Sequence, residues 1–381
     1  MPKRVCMDAS IPGRCMIAPR PDPRKEMLAA IAARAAASDR MGGDLSHDVA
    51  ALHDAGWLAS CLPLEHGGQG WGCAPEGVAG AYAALRDLGR ANLSVARLFE
   101  GHMNAVKLVV FYGREGTQQR LAHSVHAGEL LGVWGADDPD SPLTLSNQPA
   151  GIALGGAKRF ASGLGLVRQA VVAINGEQGA LLALAPANEP ARCDPSGWNV
   201  SGMRATRSGR YDFTGVELAD DAVLGELGDY SREPHFEGGI WRYCAAHCGG
   251  AEALFAHFRE ALQERGRIED PHQLDRIATG AIALETMRLW LWRAARAVET
   301  RDAKPDTATL SLLARQVTED NCRTVLALVE RGLGMAAHEE GTAIERIRRD
   351  LGLFLCQAQP DAKRQRAARA LAGRGLRAED L

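Results

Sequence analysis

Gly132-Val133-Trp134-Gly135-Ala136-Asp137-Asp138-Pro139 closes an apolar run, and Gly156-Ala157-Lys158-Arg159-Phe160-Ala161-Ser162-Gly163 follows the strand-like Ile152-Ala153-Leu154. These two stretches decide the fold. Both lie in the one part of the chain that reads as β, between two long helical regions. The first places an aromatic in a strand. The second places a small hydroxyl at a strand's end. Together they suit the edge and face of a flat conjugated ring.

The β region runs from about Gly128 to Glu226. Leu130–Trp134 is one strand, and residues 152–162 read as a hairpin about Gly155-Gly156. Residues 170–174 and 180–184 flank Asn175-Gly176-Glu177-Gln178-Gly179, a second hairpin, and residues 210–213 and 216–218 are later strands. Many short strands with glycine turns predict a small antiparallel barrel. Upstream, helical stripes begin at Leu28 and at Asp48, and a long helix pair covers 78–88 and 94–112. Between them Gly67-Gly68-Gln69-Gly70-Trp71-Gly72 is too glycine-rich for a helix interior. Downstream, residues 245–265, 271–300, 307–331 and 341–355 carry 3.6-residue apolar spacing and predict a four-helix bundle. The expected fold class is α+β. Its parts are a disordered lead (1–23), an N-terminal helical domain (24–127), a middle β domain (128–232) and a C-terminal bundle (233–381).

With 381 residues, 46% of them apolar, the chain can bury a large core. No run of eighteen apolar residues predicts a membrane span. The lead is rich in Pro and Arg without an apolar segment, so it does not read as a signal peptide. A formal net charge of −3 argues against nucleic acid as a partner. The nine cysteines are scattered without a C-x-x-C pair, which points to buried thiols in a reducing cytoplasm and no metal centre. Gly332-Leu333-Gly334 mimics a dinucleotide fingerprint, but the residues before it continue a helical stripe, so no nicotinamide site is expected.

The order of helices, small β domain and helices resembles the acyl-CoA dehydrogenase superfamily of flavoproteins. Pro63 to Gly70 resembles the family's P-x-x-x-G-G-x-G loop, and Gly202-Met203-Arg204-Ala205-Thr206-Arg207-Ser208-Gly209 its G-M-R-x-T-x-S-G stretch. The resemblance implies a bound FAD, or alternatively FMN. Ser162 and the backbone around Phe160 would meet the flavin ring, Trp134 would pack at its edge, and Asp137 takes the position where a Thr is usual. Arg265, Gly332 and Gly334 would approach the nucleotide of a neighbouring subunit, which implies a homodimer or homotetramer. Ser141, in the altered loop after Pro139, and Arg242 stand where the family contacts its CoA thioester.

The resemblance breaks at the catalytic base. Counting from Arg349-Asp350, the usual glutamate position falls at Ala358, within Cys356-Gln357-Ala358-Gln359-Pro360. The second seat known in the family is occupied by Trp241-Arg242. Three substitutes remain: Glu237, one turn before that seat, and Glu100 and His102 in Phe99-Glu100-Gly101-His102-Met103-Asn104. Glu100 and His102 are two apart, so only one of them can point inward. The expected function is flavin-dependent oxidation of an acyl-CoA or related organic substrate, with an electron-transfer flavoprotein as acceptor. The alternatives are a flavin monooxygenase fed by a separate reductase, where His102 would move a proton, and a catalytically inactive partner subunit.

Overall fold

The structure is a computed structural model that describes residues 22–40, 43–148, 151–357 and 359–373. The disordered lead expected at the N-terminus therefore lies, up to residue 21, outside the described residues, as does the base position at Ala358.

Six helices come first: α1 (Pro23–Ser38), α2 (Ser46–Asp54), α3 (Trp57–Ser60), α4 (Val78–Ala91), α5 (Leu93–Tyr112) and α6 (Glu115–His126). Their starts are written in the sequence. Asp22 accepts from the Arg24 N–H ahead of Pro23, and Asn92 accepts from the Ser94 N–H. The glycine-rich loop turns through left-handed backbone at Gly67, Gly70 and Gly72.

Ten short strands follow, in three small sheets. β1 (Leu130–Trp134), β2 (Thr144–Gln148), β3 (Gly151–Gly155), β4 (Ala157–Ala161) and β5 (Val167–Gly176) come first. β6 (Gly179–Pro186), β7 (Cys193–Asp194), β8 (Gly209–Asp212), β9 (Val216–Leu218) and β10 (Val223–Leu224) complete the set. The sheet orders are β1-β5-β6-β10, β2-β3-β9 and β4-β8-β7. The hairpin about Asn175 to Gly179 forms as expected, with Gly176 opposite Gly179. Two expectations need correction. β1 and β5 run parallel, so the domain is not purely antiparallel. The residues read as a hairpin at 152–162 are split instead: β3 pairs with β2 and β9, while β4 pairs with β8. Gly156 makes the transfer between sheets. Its φ is +94°, and a Cβ there would lie 2.3 Å from the Pro142 carbonyl oxygen.

The four expected C-terminal helices form, as α7 (Trp241–Glu264), α8 (Pro271–Val298), α9 (Ala308–Leu333) and α10 (Ala343–Phe354), and among the described residues α11 (Pro360–Ala372) follows them. α7 is the central rod, buried along most of its length from Trp241 to Phe258. It packs against α4 at near backbone contact. A Cβ on Gly89 would fall 2.2 Å from the Ala246 carbonyl, and one on Gly249 2.0 Å from the Arg86 carbonyl. One continuous apolar core joins the helices to the β strands through α5, which lies between α7 and β1. The site sits at this junction. Among the described residues, no helix is long and apolar enough to cross a membrane. Nor do three His, Cys, Asp or Glu side chains among them converge as metal ligands.

Candidate active site

Read with a 3.6-residue period, α5 presents Arg97, Gly101 and Asn104 along one side. Arg97, Leu98 and Gly101 form one wall of a crevice whose other wall is Leu131, Gly132, Val133, Trp134, Ser162 and Val167. Its volume is about 10 Å³, room for about one water. The quoted β1 stretch and Ser162 therefore meet in space, as their reading required.

Ser162 ends a chain of hydroxyls. Its Oγ lies 2.9 Å from Ser208 Oγ, which lies 2.9 Å from Thr206 Oγ1, and Thr206 donates to the Met203 carbonyl over 2.8 Å. Because a carbonyl only accepts, the protons run from Ser162 to Ser208 to Thr206 to Met203. Ser162 is left with its lone pairs, an acceptor, for a ligand. Trp134 lines the crevice but is 3% exposed, packs on Tyr211 and Phe213, and donates from Nε1 to the Ser162 carbonyl at 3.2 Å. It ties β1 to the end of β4. Phe160 is 56% exposed with φ +54°, and the Arg159 guanidinium lies over its ring at 4.9 Å.

Asp137 does not reach outward. Its carboxylate accepts from Lys158 Nζ at 2.6 Å, Asn175 Nδ2 at 2.6 Å and the Leu143 N–H at 3.2 Å. Burial alone would raise its pKa, and these hydrogen bonds more than reverse that. The fully buried Lys158 also donates to the Gly135 and Ala173 carbonyls. Asp137 is thus a brace inside the β domain. Ser141 pairs with Asp138 in a turn and is not among the residues lining the crevice.

The three substitutes for the missing base are all committed elsewhere. His102 is fully buried, with Nε2 3.1 Å from the Leu58 carbonyl and Nδ1 accepting from the Leu131 N–H at 3.1 Å. Those partners fix the neutral Nε2–H form, and burial drives its pKa down to about 4. It is a pin between α5, α3 and β1 with no nitrogen left to relay a proton. Glu100 is 3% exposed and held in short contacts by Arg97 and by Asn104 Nδ2. Glu237 is in a short ion pair with Arg366.

Arg242 is equally bound. It is 3% exposed, donates from Nε to Asn104 Oδ1 at 2.7 Å and pairs with Glu299 at 2.5 Å. Glu299 also receives Lys107 Nζ at 2.9 Å and Trp241 Nε1 at 3.1 Å. Burial would raise the Glu299 carboxyl, but Lys107 and Arg242 hold it below its ordinary value. Burial lowers Lys107 to about 8 even so. Arg97, Glu100, Asn104, Arg242, Glu299 and Lys107 thus form one network behind the crevice, in which each carboxylate is ion-paired and Arg242 and Lys107 are buried away from a CoA group. Glu299 gave no signal in the sequence, being 57 residues from its partner Arg242. Arg97, Gly101 and Asn104 were missed too, though their i, i+4, i+7 spacing on α5 is a signal that could have found them.

Arg265, Gly332 and Gly334 lie at the other end of the bundle. α7 has 24 residues, so Arg265 is roughly 36 Å along it from Trp241. These residues cannot meet a ring held by Ser162 of the same chain. Gly332 is buried against Phe258, while Arg265 and Gly334 are exposed.

Residues 23–129 match the family model of the acyl-CoA dehydrogenase N-terminal domain. Dibenzothiophene monooxygenase of Rhodococcus erythropolis is 28% identical over 207 residues, 51% of this chain and 48% of that protein. The chain thus spans about half the length of that relative. The probable FMNH2-dependent monooxygenase SfnC of Pseudomonas putida is 24% identical over 312 residues, 75% of each protein. Among solved structures, FMN-bound TdsC from Paenibacillus sp. A11-2 superposes with a TM-score of 0.80 at 20% identity, over 93% of this chain and 98% of that one. Butyryl-CoA dehydrogenase from Megasphaera elsdenii does so with 0.79 at 17% identity, over 96% and 100%. Helical and β parts alike follow this architecture: the chain has the acyl-CoA dehydrogenase fold, and its residues 23–129 match that family's N-terminal domain.

Proposed function

We propose that this chain is a flavin-dependent monooxygenase acting on a small, largely apolar organic substrate, with reduced flavin supplied by a separate reductase. One observation carries the reading: the candidate base carboxylates and the one behind the crevice are already ion-paired, Glu100 with Arg97, Glu237 with Arg366 and Glu299 with Lys107 and Arg242. Removal of a proton α to a thioester needs a free carboxylate in reach, and general base catalysis is worth roughly 10²–10⁴-fold. The acyl-CoA dehydrogenation expected first from the sequence therefore finds no free base among these three carboxylates. Oxygen insertion needs none of that type. The named activities of the dibenzothiophene monooxygenase and SfnC favour the same alternative.

The residues fit a flavin by their chemistry. Ser162 offers a lone pair backed by the Ser208 and Thr206 hydroxyls, and Phe160 offers a largely exposed ring with Arg159 over it. The exposed edge at Phe160 and Ser162, rather than the 10 Å³ crevice, has room for a flat ring. A bound flavin supplies the oxygen-activating redox chemistry. Ser162 orients it through its acceptor, and the apolar wall of Leu131, Val133 and Trp134 excludes water beside it. FMN, bound by TdsC, is favoured over the FAD expected from the sequence. FMN lacks the adenylate that Arg265, Gly332 and Gly334 of a neighbouring subunit would contact.

The test is oxygen consumption by the purified chain with a flavin reductase, NADH, FMN and a candidate apolar substrate. Product formation that tracks oxygen uptake supports the reading. Turnover of acyl-CoA with an artificial electron acceptor, independent of oxygen, would overturn it.

A further inference from the structure

Gly101 is a glycine in the wrong place for a helix. It lies inside α5, is buried, and interrupts a 20-residue helix where glycine is among the weakest formers. The helical glycines at 80, 89, 249, 280 and 332 each have a steric reason. A Cβ would strike Trp71 at Gly80, the Ala246 carbonyl at Gly89, the Arg86 carbonyl at Gly249, Phe255 at Gly280 and Phe258 at Gly332. At Gly101 a Cβ would meet nothing within 4 Å, although the residue is buried. The chain itself therefore does not require glycine there. Buried space left open by the chain is normally closed by packing.

The open space faces the crevice. Gly101 lines it together with Leu98, Leu131, Val133, Trp134 and Val167, an apolar set in which Arg97 is the one charged member. An apolar void beside a ligand edge is filled by carbon rather than by water. We infer that Gly101 sets the width of substrate this enzyme accepts: the crevice is only about 10 Å³, so just the rim of an apolar, planar substrate lodged at the open edge beside Ser162 reaches it, and a side chain at 101 would close it. This rests on the monooxygenase reading for the substrate's presence, and it adds the residue that limits substrate size.

The experiment uses the full chain loaded with FMN and three planar probes of increasing width: benzene, indole and dibenzothiophene. Affinities are measured by perturbation of the flavin absorbance for wild type, Gly101→Ala, Gly101→Ser and Gly352→Ala. Gly352 is the control, a helical glycine on α10 that also faces no atom within 4 Å but does not line the crevice. Both alanine variants are expected to raise the melting temperature by about 1–3 °C, because helix propensity rises and nothing collides. Gly101→Ala is expected to weaken dibenzothiophene about tenfold or more while changing benzene less than about twofold, since one methyl in an apolar pocket discriminates by roughly 10–200-fold. Gly101→Ser should follow the same order of probes, and Gly352→Ala should leave all three unchanged. A lower melting temperature for Gly101→Ala would overturn the inference, because the space would then not be open. Unchanged probe affinities in a stabilised Gly101→Ala, or no binding of any probe to the FMN-loaded wild type, would also overturn it. Failure of the wild type to bind FMN strikes the monooxygenase reading instead, and is seen before any probe is added.

Discussion

The Leu131 N–H donates to Nδ1 of His102 over 3.1 Å, so the first residues of β1 hang from the side chain of α5. The other ring nitrogen holds the Leu58 carbonyl. Replacing His102 by Ala strands both backbone groups in the core and leaves a cavity. We expect a loss of about 3 kcal/mol, measured by urea unfolding at pH 7.5. Flavin affinity of the fraction that remains folded should change little. A His102→Ala variant of wild-type stability with oxygen-dependent turnover abolished would show that the histidine does relay a proton.

The same residue makes a pH prediction. Its pKa falls from 6.5 unfolded to about 4 folded, so the unfolded state binds more protons between those values. The neutral histidine's contribution is complete above pH 6.5 and is lost as pH falls towards 4. The change amounts to about 3 kcal/mol. Stability curves at pH 7.5 and pH 5 should differ for wild type and differ less for His102→Gln. A wild type equally stable at both would contradict the assignment.

Asp350 runs the other way. It is 3% exposed, accepts from the Met203 N–H at 2.6 Å, and burial raises its carboxyl to about 6. Here the folded state binds more protons between about 4 and 6, so stability falls as pH rises through that window. Asp350→Asn keeps an oxygen for Met203 and removes the ionisation. Its advantage over wild type should be absent at pH 4 and appear above pH 6, read from unfolding midpoints across the series. A constant difference at all pH values would sink this account.

The buried ion network gives a third stability test. Glu299→Gln leaves Lys107 and Arg242 without their counter-charge in the core. Breaking one side of a buried pair costs about 3–5 kcal/mol. The midpoint of denaturant unfolding should fall accordingly, and adding Lys107→Met to the same chain should recover part of it. If Glu299→Gln is neutral, the network is wetter than its burial implies.

The sequence reading reached the architecture because its signals are local. Helical periodicity, the Asp22-Pro23 and Asn92 starts, and the Asn175 to Gly179 turn are each written within a few residues. It also brought Trp134 and Ser162 together. It failed where long-range pairing decides. Nothing near Ile152 says that β3 leaves β4 for β2 and β9, nor that β1 finds β5 in parallel. The same limit hid the fate of the charged candidates. Asp137, Arg242 and Glu237 look reactive as residue types, and only the positions of Lys158, Glu299 and Arg366 show that each is already neutralised. Gly101 was quoted inside its motif, yet its meaning depends on the absence of any neighbour, which no sequence window displays.

The last prediction concerns assembly. α8 exposes Leu274, Ile282 and Leu289 at 45%, 68% and 62%, and Met335 beyond α9 is 92% exposed. Leu274, Ile282 and Leu289 are eight and seven residues apart, so they share one face of the helix. Three exposed apolar side chains on one helix face, with Glu285 between the last two, suit an interaction surface. The expected partner is a second copy of the chain, giving the dimer or tetramer implied by the sequence resemblance. Light scattering at micromolar concentration should report more than one chain. Ile282→Glu with Leu289→Lys should shift the dissociation constant at least tenfold, or about 1.4 kcal/mol, without lowering the melting temperature of the separated chain. Flavin titration of the same variant then divides the two cofactors. FAD bound across subunits would lose affinity on dissociation and in Arg265→Ala, whereas FMN held by Ser162 and Phe160 of one chain would be indifferent to both. A wild type that is monomeric at micromolar concentration would sink the assembly. Loss of FMN binding in Arg265→Ala would show that the far end of the bundle does reach the flavin.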